Sequence, residues 1–91
     1  MMRVTATARG RVQGVGYRYY LTDCARETGI TGFVRNEPDG SVMIVAEGSR
    51  EDAARFICMA KAEKDPFICV ESLEVVESSA TGEFRQFSIR W

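Results

Sequence analysis

The period of the apolar residues changes several times along this 91-residue chain, and that succession restricts the folds open to it. Val4, Ala6 and Ala8 alternate with polar residues. A period of two is what a strand with one buried face requires, because successive side chains point to opposite faces. The alternation predicts a first strand from Arg3 to Arg11.

Two later segments have the spacing of three and four that is typical of a helix with one buried stripe. The first stripe comprises Tyr17, Tyr20, Leu21, Cys24, Ala25 and Thr28. It predicts a helix over Tyr17 to Thr28, which Gly29 can end. A second helix is predicted after Ser49, which opens a sequence resembling a capping box, and it ends before Pro66. Its stripe comprises Ala53, Phe56, Ile57 and Ala60.

Two β-prone runs, Ile30 to Asn36 and Ser41 to Glu47, lie between the two helices. The four residues between them, Glu37-Pro38-Asp39-Gly40, contain the proline and glycine that favour a tight connection. This segment is therefore predicted to form a β-hairpin.

Two more strands are predicted near the end of the chain. Val70 to Glu77 is rich in valine and leucine, and apolar residues then alternate from Phe87 to Trp91. Thr81-Gly82 is interpreted as the turn between them. The order β-α-β-β-α-β plus a short final strand indicates the α+β class and a ferredoxin-like split βαβ sandwich, with two helices on one face of an antiparallel sheet. Residues 1–91 are expected to form a single domain.

Composition excludes several classes of function. Apolar residues make up 45% of the chain and charged residues 27%, as in an ordinary globular domain. The net charge of −1 gives no global field that would attract nucleic acid. Apolar stretches are far shorter than the roughly 20 residues that cross a bilayer, and no secretory signal is visible. A cytoplasmic protein with no nucleic-acid or membrane partner is expected.

The chain contains no histidine, and its three cysteines form no C-x-x-C motif. A zinc site and a Cys–His nucleophile are therefore not expected, and no metal or other cofactor is predicted. Cys24 fits the buried stripe of the first helix. A disulfide between Cys58 and Cys69 stays open at this point.

The segment from Gly10 to Arg18 joins the first strand to the first helix and contains two closely spaced glycines, Gly14 and Gly16. Such a loop can turn successive N–H groups inward at a helix N-terminus, which is an anion-binding arrangement. Arg18 opposes the helix dipole there unless an anion is bound. A dinucleotide fingerprint would need glycine in place of Tyr19, and the Gly-Lys-Ser/Thr of a P-loop is absent. That the glycines only shape a tight connection stays an alternative.

Gly10 to Arg18 resembles the first signature of the acylphosphatase family, Gly-x-Val-Gln-Gly-Val followed by a variable residue, an aromatic and Arg. Gly32-Phe33-Val34-Arg35-Asn36, followed by Gly40, Val42 and Gly48, is similar to the second signature. Phe87-Ser88-Ile89-Arg90 resembles the ending of many members. Ala8 and Gly16 depart from the pattern, since larger residues are usual at both positions.

The resemblance implies that the chain hydrolyses small acyl phosphates to carboxylate and inorganic phosphate without a cofactor. It implies that Arg18 binds phosphate and that Asn36 orients the attacking water. The loop amides that would bind the substrate with Arg18 belong to Gln13, Gly14, Val15, Gly16 and Tyr17. A monomer is the expected state.

Three alternatives remain at the level of sequence. The loop also resembles the acylphosphatase-like module of carbamoyltransferases that mature hydrogenases and process carbamoyl phosphate. An RNA-recognition domain shares the layout, but its aromatic signature block is missing here. A metabolite-binding domain could hold an anion on Arg18 without turnover. For the hairpin carboxylates Glu37 and Asp39, a pKa near 4 is expected.

Overall fold

A computed structural model describes residues 1–91. Seven elements follow one another in the predicted order, and the first helix has the predicted bounds. The elements are β1 (Met2–Arg11), α1 (Tyr17–Thr28), β2 (Thr31–Asn36), β3 (Val42–Gly48), α2 (Arg50–Ala60), β4 (Cys69–Ser79) and β5 (Phe87–Arg90). Neither helix is long and apolar enough to cross a membrane.

The five strands form one sheet in the order β4-β1-β3-β2-β5. Neighbouring strands from β4 to β2 are antiparallel, but β5 is parallel to β2, so the sheet is mixed. The prediction of an antiparallel sheet was therefore wrong for its last strand. The interpretation of Thr81-Gly82 as the turn between the last two strands was also wrong, because these residues lie within a longer connection and form no tight turn. Since β4 and β5 lie on opposite edges, the chain between them must cross the sheet.

Both helices cover the same face of the sheet, where they enclose the core. The alternation predicted for β1 is confirmed, because Val4, Ala6 and Ala8 are buried beneath the helices. Cys24 lies in this core, whereas Cys58 and Cys69 are free and exposed, so the structure contains no disulfide. The core therefore depends on apolar packing without covalent cross-links.

The structure contains the N-cap half of the predicted capping box at the start of α2 and the predicted glycine C-cap at the end of α1. The Ser49 hydroxyl accepts a hydrogen bond from the Asp52 N–H at the start of α2. The Gly29 N–H donates to the Ala25 carbonyl at the end of α1. These local signals explain why the bounds of α1 and the start of α2 could be predicted from sequence, whereas the end of α2 was predicted only to precede Pro66.

A buried carboxylate anchors the segment that crosses from β4 to β5. Glu47 on β3 is only 2% exposed, and it accepts hydrogen bonds from Arg3 Nε at 2.7 Å, the Thr81 N–H at 2.9 Å and the Gly82 N–H at 3.0 Å. Burial raises the pKa of Glu47, but these hydrogen bonds outweigh it and lower the pKa to about 2. The residues interpreted as a turn therefore serve as donors to a distant strand.

Glu47→Gln should destabilise the protein at neutral pH by about 2–3 kcal/mol, since it removes the negative charge that accepts these hydrogen bonds. Because folding lowers the pKa of Glu47, its contribution is present above the unfolded value near 4.5 and is lost as the pH falls toward 2. Urea unfolding at several pH values should show wild type and variant converging in acid. The exposed Glu77, whose contact with Arg50 is 3.6 Å, provides the control Glu77→Gln, which should change little. A difference in the free energy of unfolding between wild type and Glu47→Gln that stays constant down to pH 2 would contradict this role of the Glu47 charge.

Candidate active site

The loop between β1 and α1 has the backbone conformation predicted for it. Gly14 and Gly16 have φ angles of +73° and +82°, in the left-handed region that residues with a Cβ rarely adopt. Gly16 is also the N-cap of α1, and no side chain caps this helix or places an acidic group in its first turn. The N–H groups from Gln13 to Gly16 take part in none of the backbone hydrogen bonds. The loop therefore presents unpaired donors beside a helix N-terminus.

Arg18 lies in the first turn of α1 and has no carboxylate partner. Arg3, Arg9 and Arg35 each form an ion pair, whereas the half-buried Arg18 forms neither an ion pair nor a side-chain hydrogen bond. Its guanidinium lies over the ring of Trp91, with Cζ 4.3 Å from the ring centroid. All of its N–H donors are therefore available to an anion.

Asn36 ends β2 at the sheet edge from which the loop emerges. Since β1 and β2 are both antiparallel to β3, their carboxyl ends lie at the same edge. Ala8 and Asn36 both pair with Val42, so one row of the sheet runs from Ala8, three residues before the end of β1, to Asn36. The side-chain oxygen Oδ1 of Asn36 is buried and has no hydrogen-bond partner. A buried acceptor without a partner is uncommon and indicates a place for a ligand or water.

The side chain of Gln13 joins the loop to the β2–β3 hairpin, a role that the sequence did not reveal. Its amide Nε2 donates to the Glu37 carbonyl at 2.8 Å and to the Ser41 carbonyl at 2.9 Å. Glu37 directly follows Asn36. The two hydrogen bonds therefore fix the distance between the loop and the strand end that carries Asn36.

Gln13→Leu should lower the free energy of unfolding by about 1–2 kcal/mol, since it removes two hydrogen bonds while keeping the side-chain volume. Turnover should fall as well, because the loop and Asn36 lose their mutual alignment. Urea unfolding and activity measurements on the same preparation check both effects. Gln86 is exposed and its side chain forms no hydrogen bond, so Gln86→Leu is the matched control. Equal stability of the two variants would show that the Gln13 contacts contribute nothing.

Tyr17 and Val15 contribute to the loop from the core side. The buried Tyr17 hydroxyl donates to the Ala60 carbonyl at 2.6 Å, and burial raises its pKa, so the phenol ties α1 to α2 and stays protonated. Val15 packs against the apolar core. Only the backbone amides of these two residues are left for a ligand. A cavity of about 250 Å³ is lined by the glycines of the loop together with Val12, Tyr17, Arg18 and Tyr19.

No side chain at this edge is suited to act as a base near neutral pH. The Ser41 hydroxyl, the Ser41 N–H and Arg9 lower the pKa of Asp39 to about 2, below the value near 4 expected from sequence. Glu37 forms an ion pair with Arg35 at 3.1 Å. The structure contains no cluster of three or more His, Cys, Asp or Glu side chains that could hold a metal ion.

A ferredoxin-like sandwich whose first loop presents unpaired N–H groups and a free arginine defines a small anion-binding domain, and comparison with known proteins identifies its class. The acylphosphatase family model matches residues 4–89. The acylphosphatase of Methylococcus capsulatus is 43% identical over 89 residues, which cover 98% of this chain and 96% of that protein. The crystal structure of the Bacillus subtilis acylphosphatase is similar with a TM-score of 0.94 and 35% identity, covering 100% of both chains.

A similar domain also occurs within a much longer protein. The structure of HypF from T. kodakarensis matches with a TM-score of 0.85 and 31% identity, and the match covers all of this chain but 12% of that one.

The chain belongs to the acylphosphatase family. It is a hydrolase with acylphosphatase activity, and the predicted family and fold class are confirmed apart from the parallel fifth strand.

Proposed function

We propose that this chain hydrolyses the carboxyl–phosphate bond of small acyl phosphates by direct attack of water on the phosphoryl group. Arg18 and the amides of Gln13, Gly14, Val15, Gly16 and Tyr17 hold the phosphate, and Asn36 positions the water. The observation that carries the proposal is that one cavity is lined by Gly14, Gly16 and Arg18, and that the loop N–H groups and the Arg18 guanidinium have no partner within the protein.

The loop and Arg18 supply complementary parts of a phosphate site. Backbone N–H groups at a helix N-terminus bind the phosphoryl oxygens and place them in a positive local potential. The planar guanidinium donates two parallel hydrogen bonds to the same group. Because these donors are fixed by the fold before the substrate arrives, they can stabilise the charge on the phosphoryl oxygens in the transition state.

Asn36 is suited to orienting water because its side-chain amide forms no hydrogen bond within the protein. A water bound by this amide keeps a lone pair for phosphorus. As the new oxygen–phosphorus bond forms, the bond from phosphorus to the carboxylate oxygen breaks, and the proton of the water passes to a phosphate oxygen. A carboxylate is a good leaving group, so positioning and charge stabilisation suffice, and no protein nucleophile is needed.

The rate should be nearly independent of pH across neutrality. The pKa of Asp39 in the hairpin is lowered to about 2, so this carboxylate stays ionised and is a poor base. We expect kcat, corrected for spontaneous hydrolysis, to be flat between roughly pH 5.5 and 7.5. A bell-shaped profile centred near neutrality that disappears in Asp39→Asn or Glu37→Gln would reveal a protein base and contradict the proposal.

Phosphate release from acetyl phosphate and benzoyl phosphate tests the proposed reaction, with carbamoyl phosphate in the same screen. We expect both acyl phosphates to be hydrolysed by the purified chain acting as a monomer. The resemblance of the loop to the module of carbamoyltransferases makes carbamoyl phosphate the substrate to compare, and exclusive turnover of it would favour the carbamoyl phosphate alternative. Phosphate binding without release from any of these compounds would contradict the proposal and favour a metabolite-binding domain.

A further inference from the structure

Trp91 is a large apolar residue in an unusual position. Its side chain is 86% exposed, and it is the only tryptophan of the chain. Arg90, the last residue of β5, pairs with Arg35 of β2 in the parallel ladder, and Trp91 directly follows it. Its ring also lies against the guanidinium of Arg18. Trp91 therefore contacts Arg18, the residue that the proposed function assigns to the phosphate.

The Cζ atom of Arg18 lies 4.3 Å over the centroid of the Trp91 ring, a separation suited to stacking of the guanidinium on the ring. The five N–H groups of arginine point outward in the plane of the group, so stacking on an aromatic ring leaves them free. A carboxylate partner would occupy the same N–H groups and repel a phosphate. An aromatic ring can therefore hold this cation in place without competing for the anion.

A long arginine side chain without such a contact samples many rotamers, and binding an anion would then require ordering it. The Arg18 side chain has neither an ion pair nor a hydrogen bond that could order it. The ring of Trp91 is the contact that its guanidinium makes. A comparable stack elsewhere, Arg90 over Phe33 at 3.8 Å, involves a phenyl ring that is only 7% exposed and belongs to the folded body. Trp91 has no such burial to explain its position.

We propose that Trp91 is a positioning residue that holds the Arg18 guanidinium ready for the phosphate group of the substrate. This inference rests on the proposed function, since it requires Arg18 to bind phosphate. It adds a residue outside both sequence signatures to the site. It also predicts that the tryptophan reports on phosphate binding, because an anion that binds Arg18 changes the electric field at the stacked indole.

The test uses the full chain, with inorganic phosphate as the probe. Trp91→Ala should raise the inhibition constant of inorganic phosphate and the KM for acetyl phosphate about two- to fivefold, the size expected for an exposed cation–π contact. The melting temperature should stay close to that of wild type, because the side chain is exposed. The inhibition constant of inorganic phosphate should rise less in Trp91→Phe than in Trp91→Leu, because phenyl keeps a weaker π-face and leucine has none. Phe67, which is 68% exposed and lies outside the site, provides the control Phe67→Ala.

Tryptophan fluorescence gives an independent readout. Titration of wild type with inorganic phosphate should change the emission and saturate at the concentrations that inhibit turnover, and Arg18→Ala should abolish the response. Unchanged or tighter phosphate inhibition in Trp91→Ala would overturn the inference, and tighter inhibition would show that the ring covers Arg18. An equal rise of the phosphate inhibition constant in Trp91→Phe and Trp91→Leu would also overturn it. Full phosphate inhibition in Arg18→Ala would instead refute the proposed function itself, so the two failures are distinguishable.

Discussion

Arg18→Ala should abolish turnover and inhibition by inorganic phosphate together. The guanidinium is the only charged group that we assign to the phosphate, and loss of an arginine that stabilises a transferring phosphoryl group typically costs about a thousandfold or more in rate. The fold should stay intact, because Arg18 makes no ion pair and its side chain forms no hydrogen bond. Arg18→Lys should rescue poorly, since a point charge cannot reproduce two parallel hydrogen bonds. Steady-state kinetics and a phosphate inhibition curve measure both effects.

Arg26→Ala is the matched control on the same helix. Arg26 is exposed and pairs only with Asp23, one helical turn away, so its loss should leave kcat, KM and phosphate inhibition unchanged. Thermal unfolding of both variants separates lost function from lost structure. Near-normal activity of Arg18→Ala would remove Arg18 from the site.

Asn36→Ala should reduce kcat by about two to three orders of magnitude, the usual effect of losing one positioning group. The inhibition constant of inorganic phosphate should change much less, because the loop and Arg18 that bind the anion remain. The physical reason is that water is still present but is no longer oriented by the side-chain amide of Asn36. Rates at saturating acetyl phosphate, compared with phosphate inhibition, separate these two quantities.

The matched control for Asn36 is Thr31→Ala at the opposite end of the same strand. The Thr31 hydroxyl makes one long contact of 3.5 Å with the Glu47 carbonyl, so its removal should cost little and leave kcat unchanged. If phosphate affinity collapses in Asn36→Ala while the rate at saturation is kept, Asn36 is a binding residue. The division of roles between Asn36 and Arg18 would then be wrong.

Features set by local sequence were predictable. The bounds of α1 follow from one apolar stripe and from Gly29, and the burial of alternate β1 residues follows from the period of two. The positive φ angles of Gly14 and Gly16 were expected because glycine adopts them without steric strain. The placement of Arg18 beside the loop needed only the short distance between them in the sequence.

Features set by distant contacts were not predictable. The alternation in β5 identifies a strand but not its partner, so its parallel pairing with β2 could not be read from it. Thr81-Gly82 has the composition of a turn, yet its N–H groups are bound by Glu47, more than thirty residues earlier in the chain. The contacts of Gln13 with the hairpin and of Arg18 with Trp91 likewise depend on the assembled sheet.

The destination of the attacking oxygen tests the central claim most directly. Hydrolysis of acetyl phosphate in water enriched in the heavy oxygen isotope, followed by mass spectrometry of both products, shows which bond the enzyme breaks. Attack of water on the phosphoryl group held by Arg18 and the loop places the label in inorganic phosphate and leaves acetate unlabelled. Label in acetate would show that water attacks the carbonyl carbon, and it would contradict the account.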